Sequence, residues 1–517
     1  MRRAPATNRR NPRGRASTIS RTISIPGRRP PAESDSVSKR FAIIGAGMSG
    51  ILAAIKLKQR GIEDFTIYEK AGRLGGTWRD NTYPGLSCDV PSHVYAYSFE
   101  LKGDWTRRFS PGAEIQRYFE GVAEKYGIER HIRYNSEITR ADYVDGRWRL
   151  KTSSRATDTV DFVIAATGVL HHPAIPDIPG LADFKGPKFH SARWGHAVPI
   201  HGKRVGVIGT GSTAIQIVPA LADRVAKLAL FQRTAQWVLP LANPFYSAEE
   251  KAMFRASPEQ LQQSYDFWSQ RFVDTFARAV IGNQDELQKI EDACRLNLEE
   301  NVHDPELRRR LTPDYRAACK RLIMSDEFYP AMQKPNVELV TEGIDRIEAT
   351  GVRTKDGALH VLDVLVLATG FDGHAFLRPM EVLGEGGRTL SDAWSEANEA
   401  YRSVAVPGFP NFFMLVGPNS PIGNFSVIMI SELQIDYILQ LVDLVLEGKC
   451  RAVAPSAAAA RRFNDALHEA MKGTVWVSGC RSWYMDKNGN PALWPWSFDR
   501  FREEMRKPDL ADFDLAA

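Results

Sequence analysis

Short apolar runs alternate with helical patterns in the first half of the chain. The runs at residues 41–44 and 65–68 have strand length, and between them apolar side chains recur with helical spacing over 51–57. Buried parallel strands read as continuous apolar segments, and a helix between two of them is typical of a βαβ unit. The pattern therefore predicts an α/β fold built from such units. The same order of strand, helix and strand returns at residues 204–208, 215–222 and 227–231.

Later segments complete this arrangement. Residues 245–312 are charged, helical in pattern and almost free of glycine, which indicates a helical insertion. The segment from about residue 412 to 501 is expected to rejoin the first unit. Apolar or alternating runs predict further strands at residues 147–151, 159–165, 336–340 and 361–367, and helical spacing predicts a helix over 113–126.

A glycine-rich turn follows the first strand of the first unit. Gly45, Gly47 and Gly50 have GxGxxG spacing, and Glu69 ends the second strand. The first glycine permits a tight turn, the second lets the backbone approach a pyrophosphate, and the third lets helix and strand pack closely. An acid at the end of the second strand accepts a hydrogen bond from a ribose hydroxyl. The first unit is therefore predicted to bind a dinucleotide with an unphosphorylated ribose, as in FAD or NAD.

The second unit has a similar turn, but a cation takes the place of the acid. Arg233 lies 24 residues after Gly209, the same interval that separates Gly45 from Glu69. A carboxylate suits a free ribose hydroxyl, whereas a guanidinium suits a 2′-phosphate. The second unit is therefore predicted to bind NADP. The candidate contacts are Gly209, Thr210, Gly211, Ser212, Arg233 and Thr234.

The net charge of +5 resides in the N-terminal segment. Residues 1–32 carry nine arginines and no acid, so the rest of the chain has a net charge of −4. Residues 1–38 lack a periodic apolar pattern and are expected to form a disordered tail rather than a transit peptide. The mildly acidic remainder offers no basic face for nucleic acid.

The cysteine pattern and the longest apolar run bear on the cellular environment. No pair of cysteines has metal-ligand spacing, and all five are expected to be free thiols in a reducing cytoplasm. The run at 425–446 contains three acids, so it predicts a buried amphipathic helix, and no stretch has the roughly 18 uninterrupted apolar residues of a membrane span. The five cysteines are Cys88, Cys294, Cys319, Cys450 and Cys480.

Two dinucleotide sites in one chain indicate hydride transfer from a nicotinamide to a flavin. The electrons could then pass to a redox disulfide, to a separate acceptor or to O₂. A disulfide reductase needs a Cys-x4-Cys pair just after the first unit, but this chain has Gly75-Gly76-Thr77-Trp78 there, with Cys88 as the nearest thiol. The disulfide route is therefore set aside, and the other two stay open.

Two motifs go beyond nucleotide binding. Residues 184–194 fit FxGxxxHxxxW, and residues 75–89 fit GGxWx4YPGx3D. Together they resemble the fingerprints of type I Baeyer–Villiger monooxygenases, within the flavin-containing monooxygenase superfamily, over about residues 39–500. Related N- and S-oxygenases usually carry Tyr at the position of Trp194. Gly195 and Ala214 depart from the usual pattern at positions to which we assign no chemical role.

The resemblance implies an enzyme that uses FAD and NADPH to insert one oxygen atom of O₂ beside a ketone carbonyl. The product would be an ester or lactone, formed through a C4a-peroxyflavin. Arg321 corresponds to the arginine that stabilises negative charge beside the flavin, and Asp89 to the acid that positions it. A guanidinium suits this role because it stays charged through the cycle. Lys320 corresponds to a residue that joins Arg233 at the 2′-phosphate.

Other residues receive roles from the same resemblance. Phe184, Gly186, His190 and Trp194 form the fingerprint. The last two resemble linker residues that couple the nucleotide domains, with a structural and gating role rather than proton transfer. Trp483 resembles a mobile-loop residue near the nicotinamide, and residues 417–424 are candidates for the substrate pocket. The expected contacts on the flavin side are Gly45, Gly47, Gly50, Glu69, Gly76, Thr77, Trp78, Asp89 and Tyr95.

These observations define an expected organisation and set of partners. The partners would be a small-molecule ketone, with sulfides as an alternative, and O₂, with no nucleic acid and no membrane. An N- or S-oxygenase, an uncoupled NADPH oxidase and a flavin-binding sensor are the competing functions. Neither the ketone nor the oligomeric state follows from the sequence. The expected domains are a tail at 1–38, an FAD-binding domain at 39–170 plus 380–517, an NADP-binding domain at 180–243 plus 321–379, and a helical insertion at 244–320.

Overall fold

Two five-stranded parallel sheets form the centre of the fold in the computed structural model, which describes residues 39–517. The disordered tail predicted for residues 1–38 lies outside the described residues. The α/β class and the two Rossmann-like units predicted from the sequence are confirmed.

The first sheet is centred on Phe41–Ile44, which pairs in parallel with strands on both sides. All four residues of this strand are buried, because helices cover one face of the sheet and a small antiparallel sheet that includes Ile138–Val144 covers the other. The late strand Phe412–Met414 returns to this sheet, as predicted for the C-terminal segment. In spatial order the strands are Phe412–Met414, Phe162–Ala165, Phe41–Ile44, Phe65–Tyr68 and Ile132–Arg133.

The second sheet repeats this plan around Arg204–Ile208. Its edge strand Lys188–His190 belongs to the FxGxxxHxxxW motif and pairs with Val364–Leu367. Part of the motif therefore belongs to the second sheet. In spatial order the strands are Val337–Val340, Lys227–Phe231, Arg204–Ile208, Val364–Leu367 and Lys188–His190.

Smaller sheets and the helices complete residues 39–517. One four-stranded sheet contains Glu381–Leu383, Ile138–Val144, Arg147–Thr152 and Thr157–Val160, and a three-stranded sheet contains Ile344–Glu348, Gly351–Thr354 and Leu359–Val361. Two pairs of strands join Val238–Leu239 to Ile323–Met324 and Ala452–Pro455 to Phe513–Ala516. The α-helices are Met48–Gln59, Thr77–Asp80, Gly112–Lys125, Ser212–Ala222, Ala248–Ala256, Pro258–Phe272, Arg278–Val280, Gln284–Asn301, Pro305–Leu311, Phe328–Met332, Leu390–Ala393, Val427–Leu446, Ala457–Met471 and Phe498–Glu504.

Two strands that the sequence predicts as single elements are each divided at an aspartate. The run 159–165 divides at Asp161, whose backbone amide and carboxylate bond to the carbonyl and amide of Arg40. The run 361–367 divides at Asp363, which makes the same two bonds with Arg204. Each aspartate thereby fixes the start of a central strand of a parallel sheet. In each run, the residues before the aspartate belong instead to a small antiparallel sheet.

The long apolar run predicted as a buried helix forms Val427–Leu446. Its acid Glu432 is held by the backbone amide and hydroxyl of Ser98, at 2.8 and 3.1 Å. None of the helices within residues 39–517 combines the length and apolar character needed to cross a membrane.

The expectation that all five cysteines are free thiols is wrong for two of them. Cys319 and Cys480 form a disulfide that joins positions 161 residues apart, whereas Cys88, Cys294 and Cys450 are free and buried. The spacing along the chain could not reveal this pair, because folding alone brings the two segments together.

Candidate active site

A cavity of about 1290 Å³ lies where the two glycine-rich turns face each other. Most of the residues predicted to bind cofactors or to act in catalysis line it. Gly50, Phe184, Gly186, His190 and Trp194 do not. The lining includes Gly45, Gly47, Glu69, Gly76, Thr77, Trp78, Asp89, Tyr95, Gly209, Thr210, Gly211, Ser212, Arg233, Thr234, Lys320, Arg321 and Trp483.

The first glycine of each turn lies in a tight backbone crossing. Gly45 has φ +105°, and a Cβ atom there would lie 2.6 Å from the carbonyl oxygen of Ala166. Gly209 has φ +114°, and its Cβ would lie 2.3 Å from the carbonyl oxygen of Ala368. Both carbonyls belong to the Ala-Thr-Gly segments that end the neighbouring strands. Only glycine combines this φ with this approach, so the turns are fixed by packing within the protein.

The second glycine of each turn has a different reason to be small. Gly47 and Gly211 immediately precede the helices Met48–Gln59 and Ser212–Ala222, and neither helix has a side-chain cap at its N-terminus. The space around the missing Cβ of Gly211 is open to 4 Å. Uncapped first-turn amides attract anions, and an absent side chain lets a phosphate approach them. The geometry therefore fits a pyrophosphate at both helix N-termini.

Glu69 is enclosed by donors from the protein. Its carboxylate accepts the backbone amides of Ala46 and Ala71 at 2.9 and 2.8 Å and pairs with Arg79 at 2.9 Å. A carboxylate has about four acceptor positions, so Glu69 keeps capacity for a ribose hydroxyl. Arg79 also lines the cavity and was not identified from the sequence. Its place directly after Trp78 in the GGxW motif was the available signal.

Arg321 and Asp89 form an ion pair at the cavity wall, with Nη2 of the arginine 2.6 Å from the carboxylate. About a quarter of each side chain is exposed. Burial lowers the pKa of Arg321, but Asp89 and the neighbouring Tyr484 hydroxyl raise it, and the net shift is upward. The guanidinium is therefore a permanent cation that has donors left for a ligand.

Arg233 and Lys320 form a second cationic part of the cavity lining. Burial and the nearby charge of Arg233 lower the pKa of Lys320, although Asp314 opposes this. Among residues 39–517 neither cation has an acid within ion-pair distance, and Lys320 Nζ lies 4.3 Å from the ring centre of Tyr315. Two cations close together without an acidic partner form a favourable site for a phosphate.

The aromatic residues predicted near the flavin form a pair. The Trp78 indole donates to the Tyr95 hydroxyl at 3.1 Å, and the two rings meet edge to face. Trp483 is 37% exposed and lies against Gly373, while its carbonyl faces His374 Nε2 at 3.0 Å. Trp483 thus occupies the rim of the cavity, and Trp78 and Tyr95 its inner wall.

The fingerprint residues stand behind the cavity rather than in it. His190 Nε2 lies 3.0 Å from the carbonyl of Gly370, a lining residue, and its Nδ1 accepts the amide of Ala192. Burial lowers the pKa of His190. Trp194 packs edge to face on Phe189. Phe184 is buried, and a Cβ on Gly186 would lie 2.4 Å from the Asp363 carbonyl. These contacts tie the second sheet to the cavity wall.

Comparison with known proteins gives consistent matches. Residues 38–249 match the family model for flavin-binding monooxygenase-like proteins. The chain is 50% identical over 474 residues to an uncharacterized monooxygenase of Mycobacterium tuberculosis, covering 92% of this chain and 95% of the relative. It is 42% identical over 484 residues to a Baeyer–Villiger monooxygenase of Streptomyces coelicolor, covering 92% of both sequences.

Solved structures give the same relationship. The cyclohexanone monooxygenase of Rhodococcus sp. Phi1 bound to NADP⁺ has a TM-score of 0.83 at 29% identity, and it covers 93% of this chain and 99% of its own. The OTEMO complex with FAD and NADP has a TM-score of 0.84 at 27% identity, with the same coverage. The extent of these matches and the two fingerprint motifs agree: the chain belongs to the Baeyer–Villiger monooxygenase family.

Proposed function

We propose that this chain uses FAD and NADPH to insert one oxygen atom of O₂ beside a ketone carbonyl, giving an ester or lactone. The observation that carries this proposal is the Asp89–Arg321 pair in a cavity lined by both dinucleotide turns. FAD, when bound, would take hydride from NADPH and activate O₂. The remaining contributions come from residues of the chain.

Arg321 would stabilise the negative charge that develops on oxygen during the reaction. Such stabilisation is strong when the donors are already oriented and water is excluded. Asp89 holds Nη2, which fixes the plane of the guanidinium and leaves its other donors directed elsewhere. Because the arginine cannot give up its proton, it acts by charge and hydrogen bonding rather than as an acid.

Binding of the two coenzymes would be divided between the two turns. Gly45 shapes the first turn, and Gly47 and Gly76 would leave room for the FAD pyrophosphate, with Glu69 at the ribose. Trp78 and Tyr95 supply an apolar inner wall that limits water near the reacting atoms. For NADPH, the Ser212–Ala222 helix N-terminus would hold the pyrophosphate. Thr77, Thr210, Ser212 and Thr234 supply polar lining near the turns.

We propose that the domains have the boundaries expected from the sequence. Strand Phe412–Met414 in the first sheet and the pairing of Glu381–Leu383 with Ile138–Val144 support a C-terminal segment from 380 that completes the FAD-binding domain. Val364–Leu367 in the second sheet supports assigning 321–379 to the NADP-binding domain. The helices between residues 248 and 311 support the insertion at 244–320.

The proposed partners are a small-molecule ketone and O₂. We infer a cytoplasmic location, because three of the five cysteines are free thiols. The Cys319–Cys480 disulfide is the feature that opposes it, because disulfides are rare in reducing compartments.

A panel of ketones tests the reaction directly. Purified enzyme, supplied with FAD, NADPH and isotopically labelled O₂, is expected to yield products heavier than the ketone by one labelled oxygen atom. Mass spectrometry then distinguishes an ester from an N- or S-oxide formed from amine and thioether controls. NADPH consumption that yields peroxide and no oxygenated product from any ketone would contradict the proposal and favour an NADPH oxidase.

Two glycine substitutions separate packing from coenzyme binding. At Gly50 a Cβ would lie 1.8 Å from the carbonyl oxygen of Gly45, so Gly50→Ala should lower the free energy of unfolding by at least about 1–3 kcal/mol. At Gly211 the same atom meets open space, so Gly211→Ala should keep the wild-type melting temperature but raise the KM for NADPH. Calorimetry and steady-state kinetics measure both. If Gly211→Ala kept the wild-type KM for NADPH, this turn would not be part of the coenzyme site.

A further inference from the structure

The Cys319–Cys480 disulfide joins the segment that carries the active-site cations to the loop that carries Trp483. Cys319 directly precedes Lys320 and Arg321, and Cys480 lies three residues before Trp483. Cys319 is fully buried and Cys480 is 8% exposed. The bond is therefore inside the protein and immediately behind the cavity, at a place where it can influence both segments.

The loop brings a second residue to the arginine. A Cβ atom on Gly423 would lie 2.6 Å from the Tyr484 hydroxyl and 3.1 Å from Arg321 Nη1, so these two groups meet at the same point. Tyr484 is 3% exposed and packs against Trp483 and Trp476. Asp89 holds one side of the guanidinium, and Tyr484 lies at another.

Few backbone contacts fix the start of this loop. In the described structure, no backbone amide from residue 479 to residue 483 donates to a backbone carbonyl. The next backbone bonds are those that Met485 donates to the Ser482 carbonyl at 3.1 Å and Ala492 to the Tyr484 carbonyl at 2.8 Å. The Tyr484 amide also donates to Ser482 Oγ at 3.2 Å, and His374 Nε2 faces the Trp483 carbonyl. A segment with so few backbone hydrogen bonds opens easily. The covalent bond at Cys480 therefore takes the place of missing secondary structure.

We propose that Cys319 and Cys480 are positioning residues whose disulfide keeps Tyr484 and Trp483 against Arg321, and so sets how much NADPH consumption ends in product. The inference rests on the proposed monooxygenase function. With the bond reduced, the loop would sample positions in which Tyr484 leaves the guanidinium and water enters. More of the oxygen would then leave as hydrogen peroxide.

The test compares oxidised and reduced enzyme in the same preparation. Peptide mapping without reductant is expected to find residues 319 and 480 in one cross-linked pair. Dithiothreitol supplies two electrons and two protons, giving two cysteine thiols and its own cyclic disulfide, and is then removed under nitrogen. Hydrogen exchange in residues 478–491 should rise on reduction, independently of any activity. An interaction as strong as one hydrogen bond to a charged group corresponds to a roughly tenfold change in population, so peroxide formed per NADPH should rise several-fold.

Variants separate positioning from general loss of stability. Cys480→Ser should behave like the reduced enzyme with or without dithiothreitol, and mapping should find Cys319 as a free thiol. Cys450→Ser, which changes a buried free cysteine, should keep the response to reductant. The melting temperature and retained FAD of each sample show whether the fold persists.

Two results would overturn the inference. One is that Cys319 and Cys480 both react with an alkylating agent when enzyme purified in air is unfolded without reductant. The other is that loop exchange and the peroxide fraction are the same in oxidised and reduced enzyme. Failure of the monooxygenase proposal looks different, because the oxidised enzyme would then make no ester while the exchange and peroxide measurements still report on the bond.

Discussion

Arg321→Ala is expected to abolish ester formation while leaving FAD binding and flavin reduction by NADPH nearly unchanged. The guanidinium is a cation that faces the cavity and is held by Asp89 at 2.6 Å. Removing a donor that stabilises a developing oxyanion lowers kcat by about 100- to 1000-fold. Rapid mixing with NADPH without oxygen measures reduction, and product assays with a ketone measure oxygenation.

Two matched variants sharpen this prediction. Arg321→Lys keeps the charge but loses the planar arrangement of donors, so it should recover only part of the activity. Asp89→Asn keeps a hydrogen-bond acceptor but removes the anion, and it should lower product formation less than Arg321→Ala does. Normal yields of ester in Arg321→Ala would show that the stabilising charge lies elsewhere.

The sequence predicted well those parts of the fold that depend only on residues close together along the chain. Arg204–Ile208 and Lys227–Phe231 have the boundaries predicted from their apolar runs. Strands buried on both faces need continuous apolar residues, so each of these two strands ends where its apolar run stops, at Gly209 or at Gln232. The glycine turns were also readable, because a tight crossing at Gly45 or Gly209 excludes every residue with a Cβ.

The divided strands show where local patterns fail. One aspartate within an apolar run is compatible with the alternation of a single strand, so Asp161 and Asp363 gave no sign of a break. Their role depends on the amides of Arg40 and Arg204, more than a hundred residues away. Asp161 and Asp363 each precede an Ala-Thr-Gly strand end by the same distance, and this repeat was the available signal for the break.

The residues of the candidate site likewise divide into those that the sequence predicted and those that it did not. Motif positions identified the cavity lining and the Asp89–Arg321 pair, whose side chains meet across 232 residues of chain. Arg79 beside Glu69, Tyr484 beside Arg321 and the Cys319–Cys480 bond were missed. Each depends on contacts between distant segments, and residue type alone did not distinguish these side chains from ordinary surface or core residues.

Arg233→Ala is expected to reduce the preference for NADPH over NADH. Arg233 and Lys320 line the cavity together, and among residues 39–517 neither forms an ion pair with an acid. A hydrogen bond to a charged group contributes about 1.5–3 kcal/mol, so the ratio of kcat/KM values for the two coenzymes should fall roughly 10- to 100-fold. NADH lacks the 2′-phosphate, so its own kcat/KM should change little. Lys227→Ala is a suitable control, because Lys227 begins the strand that leads to Arg233 and pairs with Glu338 instead.

Lys320 provides the second half of this test. If both cations hold one phosphate, their effects should not add: Lys320→Ala should cost less once Arg233 is already alanine. Tyr315 supports Lys320 through the face of its ring, so Tyr315→Leu should weaken NADPH binding more than Tyr315→Phe, which keeps the ring and loses only the bonds of the hydroxyl to Ala235 and Gln236. Strictly additive effects of Arg233→Ala and Lys320→Ala would mean that the two cations act at separate places on the coenzyme. An unchanged coenzyme preference in both variants would exclude a phosphate between them.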